Sequence, residues 1–108
     1  MNPQRVHRRM RQHFPEIDAV RHEWINVADQ HGVRREILES MLQAWLDAPY
    51  LLVQAHRRLG DYLPREAALD FICQHVGAGW GGYMRVTDRE FSAFVVIATN
   101  GVASAWRP

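Results

Sequence analysis

Phe91-Ser-Ala-Phe-Val-Val-Ile-Ala-Thr99, followed by Asn100-Gly101, is the stretch on which the fold class turns. As a strand, its Phe-Val-Val-Ile centre has the β-branched and aromatic character that suits a sheet, and Asn-Gly is the strongest short hairpin signal. As a helix, Thr87-Asp-Arg-Glu90 is a capping box, Phe91, Phe94, Val95 and Ala98 share one face, and Gly101 closes the end. We take the strand on propensity. Tyr83 to Thr87 before it and Val102 to Trp106 after it have the same character. The expectation is a three-stranded antiparallel meander over residues 83–108, with an all-helical domain as the alternative.

Upstream, Gly77-Ala-Gly-Trp-Gly-Gly82 reads as a Gly-rich loop over 77–82, and residues 15–76 read as a helical body. Pro64 opens a helix through Val76 that buries Ala68, Leu69 and Ile72. Pro49 to Leu59 reads as a helix with Leu51, Leu52, Ala55 and Leu59 inside, set off by the break at Asp47-Ala48-Pro49. Ile37, Leu38, Met41, Leu42, Trp45 and Leu46 form the broadest helical stripe. Ile17, Val20, Trp24, Val27, Ala28 and His31 recur at three- and four-residue steps, between Pro15 and Gly32, and predict another helix. Asn2-Pro3 starts a first helix to about His13, with Asn2 as its N-cap and only Val6 and Met10 apolar. The whole is an α+β chain of about five helical segments followed by the meander.

A length of 108 residues fits one domain. Area scaling gives about 6,200 Å² folded against about 18,000 Å² unfolded, enough burial for one core. The longest apolar run, Ala93 to Ala98, is six residues, far short of the ~20 that span a bilayer. The basic first residues lead into no apolar segment, so no signal peptide and a cytoplasmic location are expected. Cys73 is the single cysteine. It allows neither an intramolecular disulfide nor a tetrahedral cysteine zinc site.

All 13 basic residues are Arg. A GC-rich genome accounts for this most simply, since the arginines are spread along the chain. The net charge of +1 hides an asymmetry: residues 1–13 carry four Arg and no acid, while residues 14–108 carry 9 Arg and 12 acids. A basic arm precedes a mildly acidic body. Arg5, Arg8 and Arg9 recur on one side of the first helix, with Arg11 and His7 nearby. Such a cluster attracts phosphates, or docks on acids of its own or another chain. Arg57-Arg58 adds a second small cluster. No helix-turn-helix spacing accompanies them.

Other chemistry is thin. Gly77-x-Gly79-x-x-Gly82 matches a dinucleotide fingerprint as text, but it follows a helix and precedes a strand, the reverse of what pyrophosphate binding needs. Cys73 and His75 point apart on a helix, and Asp70 raises a neighbouring thiol's pKa. Asp18 and His22 share a helical face, but two ligands make no metal site. Trp80 among glycines either folds back on the core or stands out as a contact residue. We expect no cofactor and no metal.

These features point to a non-catalytic regulatory or accessory protein acting through protein–protein contacts. Arg5, Arg8, Arg9, Arg11 and Trp80 are the expected contact residues, and a homo-oligomer is possible through the third helix. Nucleic-acid binding through the same arm is the alternative. A small enzyme whose site is assembled only in three dimensions, around His22, His75 or Asp70, is the third.

Overall fold

The structure, a computed structural model, describes residues 1–76 and 82–108. The expected Gly-rich loop, including Trp80, lies outside the described residues, apart from Gly82. Helices α1 (Pro3–His13), α2 (Arg35–Trp45) and α3 (Arg65–His75) are joined by strands β1 (Ile25–Asn26), β2 (Ala28–Asp29), β3 (Gly32–Val33), β4 (Tyr50–His56), β5 (Leu59–Pro64), β6 (Tyr83–Thr87), β7 (Phe94–Ala98) and β8 (Val102–Trp106). Six strands form one antiparallel sheet in the order β1-β8-β7-β6-β4-β5, and β2 and β3 make a separate ribbon.

This overturns the expectation of five helices followed by a three-stranded meander, and the all-helical alternative with it. Strands β6, β7 and β8 do pair in succession, but as the interior of a wider sheet. The supposed helix 49–59 is instead the hairpin of β4 and β5. The reason is double-sided burial. Leu51 to Ala55 are buried at five consecutive positions, because the strand has a layer on each face. Such a run lacks alternation and satisfies helical spacing by accident. The supposed helix 15–31 fails differently. Val20, one of its face residues, is 93% exposed. Trp24 Nε1 donates to the Ala19 carbonyl at 2.9 Å. The chain then adds β1 to the free edge of β8, and Val27, fully buried, donates its N–H to the Gly101 carbonyl at 2.9 Å. Edge pairing satisfies more backbone there than an isolated helix end would.

The capping-box pattern at Thr87–Glu90 also has another use. Asp88 Oδ1 accepts from the Ser92 N–H at 2.9 Å, which builds a turn between β6 and β7 and places Phe91 at φ +55°. Asn100-Gly101 turns β7 into β8. Gly101 has φ +87°, and a Cβ there would lie 2.5 Å from the Cβ of Ala28.

Alternate strand residues separate two layers. Leu51, Val53, Val86, Val95 and Ile97 meet Leu38, Leu42, Leu46, Leu69 and Ile72 of α2, α3 and their ends. Leu52, Phe94 and Val96 meet Val6, Met10 and Phe14 on the opposite face. The basic segment at the N-terminus is therefore no separate arm: α1 is one layer of the core. Asn2 caps it by accepting from the Arg5 N–H at 2.9 Å. Gly60 lets it approach, since a Cβ there would lie 3.0 Å from Val6 Cγ1. On the other face Arg35 ties α2 to α3 through Asp70 at 2.5 Å and Glu66 at 2.9 Å. Among the described residues no helix is long and apolar enough to cross a membrane.

Candidate interaction surfaces

The four arginines expected to act together on α1 are divided by the helix. Arg5 and Arg8 are exposed. Arg9 turns to one flank, where Nη2 donates to the Arg89 carbonyl at 3.1 Å and the guanidinium lies 5.5 Å from the Phe91 ring. It clamps the β6–β7 turn, and its Nε is buried without a partner among the described residues. Arg11 turns to the opposite flank, together with His7.

That second flank forms the basic feature with the most built-in geometry. His7, Met10, Arg11, Phe14, Glu16, Gln54 and Arg85 border a cleft of about 170 Å³ between α1 and the sheet. Arg85 projects from β6, in the middle of the sheet, and is paired in register with Gln54 on one side and Val96 on the other. Burial pulls its pKa below the usual arginine value. Among the described residues it forms no ion pair, and its guanidinium lies 5.9 Å from the Phe14 ring. Gln54 is 2% exposed and its amide nitrogen lies 2.8 Å from His7 Nδ1. Burial lowers the His7 pKa first, and the charges of Arg11, Arg57 and Arg85 lower it further. Arg57, from the β4–β5 turn, thus joins the residues of α1. Sequence reasoning noted the Arg57-Arg58 cluster but missed Arg85 and Gln54. A charged residue inside an apolar strand was the available signal.

A wider cleft, about 650 Å³, lies on the other face. Ile37, Met41 and Trp45, four residues apart along α2, form one wall. Ala103 and Ala105 of β8 line it as well, with Ile25 opposite. Ile25 is 47% exposed. Two helices cover this face of a six-stranded sheet, and α2 leaves the β8–β1 edge open beside it. Glu36 stands near the start of α2, paired with Arg34 at 2.5 Å. Arg107 lies over the Trp45 ring at 4.5 Å, at the other end.

The residues proposed for a catalytic or metal site are dispersed. Asp70 pairs with Arg35, His22 stacks on Trp106 with centroids 4.0 Å apart, and His75 packs on Phe71. Asp18 pairs with Arg21 at 3.2 Å, outside any helix. Burial pushes the Cys73 thiol pKa up, against the opposing effect of Arg35. Among the described residues no group of three potential ligands is suited to a metal ion. No family model matches the chain, and no curated protein or solved structure shows significant similarity to it.

Proposed function

We propose that the protein is a non-catalytic interaction module of the cytoplasm, and that the cleft beside α2 is its protein-binding surface. The observation that carries this is the cleft's make-up. Ile37, Met41 and Trp45 present an apolar ridge at helical spacing, and alanines allow close approach beneath it. Ridges of this kind pack against a second helix.

The occupant we assign is a second copy of the chain. Residues 36 and 45 are separated by about 13 Å along the helix axis, with Glu36 at one end of the ridge and Arg107 at the other. An antiparallel pairing of two α2 helices about a two-fold axis sets Glu36 of each copy against Arg107 of the other. It also sets Met41 against Met41 at the centre. Isologous contacts require this self-complementarity.

Sedimentation velocity from about 1 µM to about 100 µM tests it. The expected result is a monomer–dimer equilibrium that Arg107→Glu weakens at least about tenfold and that Glu36→Arg added to Arg107→Glu restores. Both sites are exposed, so neither change threatens the fold. A wild type that stays monomeric throughout, or a charge swap without rescue, overturns the reading.

A further inference from the structure

Arg85 poses a problem that folding alone does not answer. A guanidinium half-buried in the middle of a sheet, with no ion pair among the described residues, costs desolvation energy that nothing there compensates. An aliphatic side chain would pack the site without that cost. His7 and Arg11 of α1 border the same cleft, and Arg57 adds its charge from the β4–β5 turn. Glu16 also borders the cleft and is exposed. Arrangements of forked donors around a small opening are suited to a tetrahedral anion. The histidine fits the same purpose. With the Gln54 amide donating to Nδ1, a neutral His7 carries its proton on Nε2 and is a further donor.

We propose that this cleft seats a phosphoryl group of a nucleic-acid strand. Arg85 and Arg11 grip the oxygens, His7 donates to them, and Gln54 holds the imidazole in place. Arg8, exposed on the next turn of α1, and Arg57 engage the neighbouring phosphates. The exposed arginines beside the seat favour a polymer over a free phosphate ester, because a single small anion leaves them without a ligand. Cleft and α2 ridge lie on opposite faces of the sheet, so this inference does not depend on the dimer.

The test is fluorescence anisotropy with labelled mixed-sequence single-stranded DNA and RNA across a salt series. The proteins are the wild type, Arg85→Gln, Arg11→Ala, and Arg21→Ala as an exposed arginine control outside the cleft lining. Inorganic phosphate and a nucleoside monophosphate serve as competitors. The wild type should bind with an affinity that falls steeply as salt rises. Arg85→Gln and Arg11→Ala should each weaken binding at least about tenfold and flatten the salt slope by about 0.7, the value for one phosphate contact on a single strand. Arg21→Ala should bind as the wild type does. Arg11 is exposed, so its variant keeps the test valid should Arg85→Gln fail to fold. Absence of binding at low salt, or an equal loss in the Arg21 control, overturns the proposal. Inorganic phosphate or the monophosphate binding as tightly as the strand also overturns it, and assigns the seat to a free phosphate compound.

Discussion

The two faces of the sheet are built on different terms. Beneath α2 and α3 the strands contribute Leu51, Val53, Val86, Val95 and Ile97, all apolar and almost wholly buried. Beneath α1 the same strands contribute Leu52 and Val96 together with Gln54, Arg85, Thr87 and Ser104. One face is packed from apolar contacts alone. The other buries polar groups whose desolvation opposes folding. Apolar and polar burial are thus segregated by the pleat, which sends successive side chains to opposite sides.

Four measurements would break or sharpen that contrast. The largest effect is expected from Leu42→Ala, in the apolar layer, where truncation should cost about 3–5 kcal/mol in chemical denaturation. Met10→Ala, under α1, should cost less, about 2 kcal/mol, because a single helix flanked by clefts can settle into the space. A larger loss at Met10 than at Leu42 would erase the distinction between the faces.

Gly60→Ala should come next, at about 1–3 kcal/mol. The new Cβ would lie 2.9 Å from the Val53 carbonyl and 3.0 Å from Val6 Cγ1. Hydrogen exchange should then speed up in α1 while α2 and α3 stay protected. Uniform loss of protection would show that the two layers unfold as one.

Arg85→Met should leave stability within about 1 kcal/mol of the wild type, or raise it, since it removes a half-buried charge that has no ion pair among the described residues. It should abolish strand binding in the same preparation. A loss of several kcal/mol would make Arg85 a structural residue.

The smallest effect concerns pH. The folded protein holds the His7 pKa below its ordinary 6.5. The unfolded chain therefore takes up a proton first as pH falls, and protonation favours unfolding. The contribution of His7 is fully present above pH 6.5 and is lost as pH falls below it towards the folded value. The wild-type melting temperature should thus drop further than that of His7→Gln between pH 7.5 and 5.5. Equal drops would mean that neither burial nor the neighbouring arginines lower the His7 pKa in the folded protein.

How far the sequence carried the reading varies along the chain for stated reasons. The first helix, its Asn2 cap, the α2 stripe and the helix after Pro64 were legible, because caps and helical stripes are set by residues within one or two turns. The Asn100-Gly101 turn was legible too, since a glycine with positive φ is a local requirement. The β4–β5 hairpin was not. Its strand is buried on both sides, and a continuous apolar run carries no period. Residues 15–31 were misassigned because accidental spacing mimicked a helix where edge pairing with β8 prevailed.

The candidate sites divide in the same way. Sequence alone established that residues 1–13 carry four Arg and no acid and that Ile37, Met41 and Trp45 share a helical stripe, since both follow from composition and helical geometry. It offered Trp80 as a contact residue, which lies outside the described residues, and it treated Arg5, Arg8, Arg9 and Arg11 as one group. Only the tertiary structure separated Arg9, which clamps a turn, from Arg11, which lines a cleft, and brought Gln54, Arg57 and Arg85 up to His7. Strand pairing joins residues by register and not by proximity in the chain, so no local pattern of the sequence encodes which side chains will share a cleft.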